Sequence, residues 1–174
     1  ANYVVRNYLD FEGNRYADAY LTRLVKLEPE TRFEGKIHEY LEPVREPKKC
    51  LADIAQHYGY AFRSEAEKKD HARRNREPLL EMRRQYPGEA RWIALLAQEY
   101  LADGDYEKTF EVCRAGLDEC RIKGEYGERY ISTFFGSVFA FILISLECME
   151  KFEEEEQWLN EAMSQPYTLL EVME

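Results

Sequence analysis

The sequence has few cysteines, and none of them forms a closely spaced pair. The four cysteines, Cys50, Cys113, Cys120 and Cys148, show neither a Cys-x-x-Cys motif nor the dense spacing of a disulfide framework. A structural zinc site or a disulfide-stabilised secreted domain requires such spacing. The pattern therefore predicts reduced thiols in a cytoplasmic protein, with Cys113 and Cys120 as buried residues of one helix.

Positive charge is also scarce. The chain has 24 lysine and arginine residues against 34 aspartate and glutamate residues, a net charge of -10. Because phosphate contacts need a basic surface, this balance excludes a general nucleic-acid-binding protein. The acidity is concentrated in the second half, since residues 61–87 carry 8 basic and 5 acidic side chains whereas residues 88–174 carry 7 and 19.

Long apolar runs are nearly absent. The longest uncharged stretch, residues 130–146, lies at the short limit for a bilayer crossing. It contains several serine, threonine and glycine residues, and no basic cluster flanks it. The stretch therefore predicts a buried central helix, and no membrane span is expected.

The first 62 residues show the residue alternation and turn signals of short β-strands. A turn is predicted at Asp10-Phe11-Glu12-Gly13-Asn14, because Gly and Asn tolerate a positive φ. The predicted strands cover residues 3–9, 20–27, 31–44 and 49–58, and the third allows a short irregular piece at residues 38–41. Pro43 and Pro47 bracket a further predicted turn. Residues 1–62 thus predict a small, mostly antiparallel β-sheet segment, which needs a neighbour to cover one face.

From Ser64 onwards the hydrophobic period is helical. Ser64-Glu65-Ala66-Glu67 is a capping box at the start of a charged helix, which Pro78 is expected to kink or restart. Further on, the apolar positions predict two helices joined by a turn at Asp103-Gly104-Asp105, with the small residues Ala97 and Gly116 allowing close approach.

The helix–turn–helix unit recurs around Lys151-Phe152-Glu153, at an offset of 46 residues. This offset exceeds the roughly 34 residues of a tetratricopeptide repeat, and the excess fits a lengthened first helix at residues 128–149. Residues 63–174 therefore predict an α-α tetratricopeptide-like helical repeat array. Three stacked hairpins, the first of them partial, would bury a continuous core.

Two clusters of charge invite a functional interpretation. Asp103-Gly104-Asp105 matches an Asp-x-Asp metal motif, but its place between two helices favours capping roles for Gly104 and Asp105. The basic residues of the charged helix would attract an anion or would form a solvated helix face, which is the commoner case. They are Lys68, Lys69, Arg73, Arg74 and Arg76.

The remaining candidates are His38-Glu39 and His57. Their spacing does not form a zinc pattern. A lone histidine in a strand is more often a structural residue than a functional one, and composition alone leaves both interpretations open.

Three motifs follow one another along the chain. They are FEGKIHEYL at residues 33–41, DIAQHYGY at residues 53–60, and Arg74-Asn75 followed by Leu79-Leu80-Glu81. Together they resemble the C-terminal part of bacterial family-two glycosyltransferases that carry tetratricopeptide repeats. In that family a GT-A nucleotide-sugar domain ends in a segment of the form F-x-G-x-I-H-E, a strand ending in H-x-G-Y follows, and then the repeats. The resemblance covers nearly the whole chain.

The resemblance implies an α+β chain, with residues 1–62 as a remnant of the GT-A catalytic domain and residues 63–174 as the repeats. It also implies that His38 and Glu39 are catalytic. His38 would lie near the donor diphosphate, as a hydrogen-bond donor to the leaving group or as a metal ligand. Glu39 would orient His38 or face the acceptor, whereas His57 and Tyr60 would only pack at the sheet–helix junction.

The family's N-terminal half, with its metal motif and carboxylate base, has no counterpart in this chain. We therefore expect the isolated chain to be inactive and to hold no cofactor. The parent protein would use a divalent metal, Mg or Mn, a nucleotide-sugar donor and an acceptor, and the repeats would bind the acceptor or a protein or peptide partner. The alternative is a tetratricopeptide protein–protein interaction scaffold without a catalytic role. The exposed edge of the sheet would also permit a homodimer.

Overall fold

The computed structural model describes residues 2–22, 25–42, 50–62, 64–123 and 131–164. Within these ranges the protein is α+β, with a strand-containing N-terminal part followed by a helical array. The chain divides into two compact units, Ala1–Lys68 and Lys69–Glu174. The strands are β1 (Asn2–Tyr8), β2 (Tyr16–Thr22), β3 (Arg32–Glu34), β4 (Tyr40–Glu42) and β5 (Cys50–His57). The helices are α1 (Glu65–Gln85), α2 (Ala90–Asp103), α3 (Tyr106–Lys123), α4 (Ile131–Cys148) and α5 (Phe152–Ser164).

The main sheet of the first unit has the strand order β2-β1-β5. β1 pairs with β2 in the antiparallel direction and with β5 in the parallel direction. The second sheet is the antiparallel hairpin of β3 and β4. The prediction of a small, mostly antiparallel sheet is thus confirmed, with one parallel pair added. β2 and β5 are the outer strands of the main sheet, and pairing of two chains through one of them stays a prediction.

The turn between β1 and β2 forms where the sequence predicts it. The Asp10 carboxylate accepts hydrogen bonds from the backbone N–H groups of Asn14 and Arg15, both at 2.9 Å. Gly13 supplies the positive φ of 77°. The predicted start of the second strand at residue 20 is wrong, because pairing propagates outwards from this turn and places Tyr16 opposite Tyr8. The predicted strand end also fails, since Leu27 lies outside any strand and is exposed.

Residues 31–44 do not form one strand. The chain pairs residue by residue from Arg32 opposite Glu42 to Glu34 opposite Tyr40, and residues 35–39 form the connecting loop. The sequence allowed an irregular piece only at residues 38–41, whereas the break covers residues 35–39 and Tyr40 and Leu41 are in β4. The predicted strand through Gly35 and Ile37 is therefore wrong, because Gly35 and His38 both take a positive φ that a strand cannot accommodate. The predicted turn between Pro43 and Pro47 lies outside the described residues.

Helix α1 begins at the predicted cap, where the Ser64 hydroxyl accepts a hydrogen bond from the N–H of Glu67 at 3.2 Å. The helix then continues through Pro78 to Gln85, so the predicted restart at Pro78 is wrong. Ala72 is buried before the proline, and Leu79 and Met82 are buried after it. One buried face therefore spans the proline, and its packing offsets the backbone hydrogen bond that proline cannot donate.

Helices α2 and α3 form the predicted hairpin. Gly104 ends α2 in the left-handed conformation, with a φ of 80°. Asp105 caps α3 by accepting a hydrogen bond from the N–H of Lys108 at 3.1 Å. A Cβ atom added to Gly116 would stand 2.5 Å from the Ile93 side chain, so a glycine at this position is what allows α2 and α3 to approach. The predicted capping and small-residue roles are confirmed.

Helices α4 and α5 form the second hairpin, and α4 packs against α2, α3 and α5. The predicted central helix is confirmed, because Phe139, Ile142 and Leu146 are buried. None of the helices in the described ranges, α4 included, combines the length and apolar character that a bilayer crossing needs. The tetratricopeptide pattern expects a proline near the end of a repeat, and Pro166 fits this place in the second unit but lies outside the described residues.

Candidate functional site

The two residues that the sequence selects as catalytic, His38 and Glu39, lie in the loop that joins β3 to β4. Glu39 is exposed and His38 is half-buried. The Nε2 atom of His38 is shielded from solvent. Hydrogen bonds to a shielded imidazole are stronger than hydrogen bonds in open water, because the local dielectric constant is lower.

The backbone of His38 is unusual. Its φ is 51°. Among the described residues, His38 and Glu150 are the two non-glycine residues with a positive φ. The left-handed region costs an L-residue about 1 kcal/mol or more, although His tolerates it better than most. Gly35, in the same loop, takes a φ of 100°, which glycine adopts without a steric penalty because it has no Cβ atom. Backbone strain of this kind is concentrated at functional sites and in tight turns.

His57, the third candidate, belongs to the other sheet. Its Nδ1 atom lies 3.0 Å from Oδ1 of Asn7, the residue opposite it on β1. Its ring contacts the edge of the Tyr60 ring with the centroids 5.4 Å apart. A Cβ atom on Gly59 would stand 2.6 Å from the imidazole, so glycine is needed for this packing. His57 therefore packs against its sheet neighbours and remains exposed, and its predicted place at the sheet–helix junction stays a prediction.

A row of aromatic and polar side chains crosses one end of the main sheet. The Tyr8 ring stacks on Tyr58 with the centroids 4.4 Å apart and meets the Tyr16 ring edge-on at 6.1 Å. The Arg6 guanidinium lies 4.0 Å from the centroid of Tyr16 and makes two hydrogen bonds of 2.8 Å to Asp18. The hydrogen bond from Arg6 lowers the pKa of Asp18, so the pair stays ionised. Tyr16 and Tyr58 are exposed at this end.

A polar cluster joins α1 to α2 in the second unit. Arg76 donates a hydrogen bond of 2.7 Å to the Asp103 carboxylate and another of 3.2 Å to the backbone carbonyl of Glu99. Arg73 binds the other oxygen of Asp103 at 3.2 Å. The Arg76 guanidinium also lies 4.5 Å from the centroid of the Tyr100 ring. The sequence favours a solvated helix face for all five basic residues between Lys68 and Arg76. Arg76 is not part of such a face.

Glu99 is the buried acid of this cluster. Asn75 donates a hydrogen bond of 2.9 Å to its carboxylate. Burial raises the pKa of Glu99, and the hydrogen bond from Asn75 and the charges of His71 and Arg76 oppose the rise without cancelling it. Asp103 behaves in the opposite way. Burial would raise its pKa, but the hydrogen bonds from Arg76 and Arg73 outweigh burial and keep the pKa below its ordinary value.

Asp103 is predicted to lie in a turn, and Glu99 is not among the candidate residues that the sequence pattern indicates. The sequence does contain a pattern that indicates this cluster. Arg73 and Arg76 on one helix, and Glu99 and Asp103 on the next, are spaced three and four residues apart, so each pair shares a helix face. Complementary pairs on consecutive helices indicate an interhelical ion-pair cluster.

The raised pKa of Glu99 leads to a pH-dependence of stability. A raised folded-state pKa contributes stability that is fully present below the unfolded value of about 4.3 and is lost as the pH rises through the folded value. Wild-type protein should therefore gain stability relative to Glu99→Gln, which cannot titrate, as the pH falls from 7 to about 4, below the unfolded value. Asp103 stabilises above its unfolded pKa and loses this effect only at lower pH.

Urea unfolding at pH 7 and at about pH 4 measures the difference. Glu107→Gln, which changes an exposed glutamate on α3, is the control and should follow the wild type. If the wild type and Glu99→Gln show the same pH-dependence between these values, the carboxylate does not titrate differently in the folded state.

The described residues contain no group of three or more His, Cys, Asp or Glu side chains arranged to hold a metal ion. His38 and Glu39 therefore do not form a metal site by themselves, and the metal role of His38 stays a prediction for the parent protein. Cys113 and Cys120 are buried as predicted, and burial raises the pKa of the Cys113 thiol. A thiol in this state is a packing group and not a nucleophile.

Comparison with known proteins adds no relative to this description. No protein-family model matches the chain, and no curated protein matches it in sequence.

Proposed function

We propose that this chain is the C-terminal part of a glycosyltransferase that moves a sugar from a nucleotide-sugar donor to an acceptor. The observation that supports the proposal best is the loop of residues 35–39. It carries the motif that resembles the glycosyltransferase segment, and it holds His38 at a φ of 51°. A strained, half-buried histidine next to an exposed glutamate fits a site in which one side chain meets a charged group and the other faces solvent.

In this proposal His38 donates a hydrogen bond to the diphosphate of the donor. Negative charge develops on the diphosphate as its bond to the sugar breaks, and a fixed donor in a shielded position stabilises that charge. Glu39 orients His38 or faces the acceptor. The divalent metal expected for the parent protein, Mg or Mn, stays part of the proposal, and His38 would be either one of its ligands or a hydrogen-bond donor alone. The nucleotide-binding strands and the base belong to the part of the parent protein that precedes this chain.

The exposed tyrosines of the main sheet support a sugar-handling role. One face of a sugar ring is lined by C–H groups and stacks on aromatic rings, while its hydroxyls bond to polar side chains. Tyr16 and Tyr58 offer exposed rings, and Arg6 and Asp18 offer paired polar groups beside them. Because Arg6 and Asp18 neutralise each other, the row suits an uncharged saccharide.

The helical array favours a second function. Two helical hairpins, α2–α3 and α4–α5, stack through α4, as they do in interaction scaffolds. In the first proposal the repeats serve acceptor or partner binding. In the second proposal the chain is a protein–protein interaction scaffold without a catalytic role.

An assay with nucleotide sugars separates the two functions. The polypeptide encoded by the complete reading frame that contains this chain is incubated with radiolabelled nucleotide sugars. We expect donor turnover by that polypeptide and none by the 174-residue chain alone. Absence of turnover in both favours the scaffold, whereas turnover by the isolated chain contradicts the assignment of half of the site to preceding residues.

A further inference from the structure

Helix α5 carries an exposed apolar stripe. Phe152, Leu159 and Met163 recur at a spacing of 7 and 4 residues, so they share one face of the helix. Their exposed fractions are 61%, 40% and 55%, respectively. The core-facing side of α5 is different, because the Trp158 ring lies 6.1 Å from Phe110 and 6.3 Å from Phe139. The stripe is therefore a second apolar face of the same helix.

The internal repeat aligns the stripe of α5 with a row of residues on α3. At the repeat offset of 46 residues, the stripe of α5 aligns with Tyr106, Cys113 and Leu117 of α3. In α3 the side chains of Cys113 and Leu117 are 0% and 1% exposed. Tyr106, at the start of the same row, interacts with Cys148 of α4, and α4 packs against α3.

The core-facing positions of the two helices also match. Trp158 aligns with Val112, and Ala162 aligns with Gly116. Val112 and Ala162 are both buried, and Gly116 contacts the α2 helix of its own hairpin. The two helices are therefore built alike on the side that faces their own hairpin. They differ on the stripe, which is covered in α3 and open in α5 among the described residues.

The charged residues of α5 indicate which kind of surface can cover the stripe. The sequence of α5 is FEEEEQWLNEAMS, with five glutamates and no basic residue. On the helical wheel Glu155 borders one side of the stripe, and Glu156 borders the other. A second copy of α5 would bring like charges together, and the ten residues after Ser164 contain Glu171 and Glu174 but no lysine or arginine.

We propose that the Phe152–Leu159–Met163 stripe of α5 binds an amphipathic helix of a partner protein whose apolar face is flanked by lysine or arginine. Such a helix would pack against α4 and α5 in the same way that α4 packs against α2 and α3. Its apolar residues cover the stripe, and its basic residues meet Glu155 and Glu156. Helix-in-groove recognition uses this arrangement of anchors at successive turns. The proposal concerns the helical unit and does not depend on the glycosyltransferase function.

The test uses the full 174-residue chain and a synthetic helical peptide of 18 residues. The peptide has leucines along one face and lysines on both flanks, and a control peptide has glutamates in place of the lysines. We expect saturable binding of the basic peptide in calorimetry, with a Kd below about 100 µM, and no measurable binding of the acidic peptide. Raising the salt to 0.5 M should weaken binding several-fold because the flanking charges are screened.

Variants of the chain locate the binding surface. Leu159→Asp and Met163→Asp should each weaken binding at least tenfold, and Glu156→Gln should weaken it less. Gln157→Asp, which adds the same charge to an exposed position of α5 away from the stripe, is the control and should bind as the wild type does. Circular dichroism checks that every variant keeps its helices.

Three outcomes overturn the proposal. The first is equal binding of both peptides, or binding that the stripe variants leave unchanged. The second is a concentration-dependent dimer that Leu159→Asp abolishes, which assigns the stripe to a second copy. The third is absence of saturable binding together with a loss of thermal stability in Met163→Asp, which assigns the stripe to the chain's own last ten residues.

Discussion

A parent enzyme that carries His38→Ala should turn over at least about 100-fold more slowly than the wild type, the usual loss when one electrostatic stabiliser of a transition state is removed. The loss should appear in kcat rather than in KM, because the hydrogen bond from His38 strengthens as charge develops on the diphosphate. Initial rates of sugar transfer over a range of donor concentrations give both constants.

The backbone of His38 makes a sharper control necessary. Alanine removes the imidazole and also disfavours the φ of 51° that the loop uses. His38→Asn and His38→Gly both accept a positive φ, and both lack the imidazole. If the ring acts on the substrate, all three variants are slow. If the asparagine and glycine variants work like the wild type, His38 serves the loop conformation alone and the catalytic assignment fails.

Arg76→Ala should destabilise the helical unit by about 3 kcal/mol, which is more than a hundredfold change in the folding equilibrium. The substitution removes the ion pair to Asp103, the hydrogen bond to the Glu99 carbonyl and the contact with the Tyr100 ring. Among the residues that the structure describes, it leaves the largely buried Asp103 carboxylate with Arg73 alone as a cationic partner, at 3.2 Å. Urea unfolding at constant pH measures the free energy of unfolding.

The same helix supplies the control. Arg74 is exposed, so Arg74→Ala should change the free energy of unfolding by less than about 0.5 kcal/mol. A double-mutant cycle of Arg76→Ala with Asp103→Ala should yield a coupling energy of about 1 kcal/mol or more, because the two side chains are in direct contact. Equal effects of Arg74→Ala and Arg76→Ala would place Arg76 in solvent and contradict the described cluster.

Features that depend on neighbouring residues were predictable. Ser64 caps α1, Asp105 caps α3 and Gly104 ends α2, because each forms its hydrogen bonds or its positive φ within about one turn of chain. The burial of Cys113 was predictable from its place on the apolar face of a helix. In each case the residue's chemistry acts on backbone groups nearby in the sequence.

Features that depend on distant residues were not predictable. The strand β2 starts at Tyr16 because this residue pairs with Tyr8. The hydrophobic pattern instead predicted a strand at residues 20–27. Pro78 stays inside α1 because Leu79 and Met82 are buried against other parts of the chain. In the candidate site, His38 and Glu39 are neighbours in the sequence. The loop that holds them, however, depends on the pairing between Arg32 and Glu42.

The sequence by itself determined that a strand-containing segment precedes a helical repeat, where its helices are capped, and which motif resembles a glycosyltransferase segment. Only the tertiary structure decided that His38 lies in a hairpin loop, that Arg76 turns inwards to Asp103 and Glu99, and that no described residue covers one face of α5. The physical reason is that capping and helix period act over a few residues, whereas strand register, burial of charge and coverage of a helix face depend on which distant segments meet.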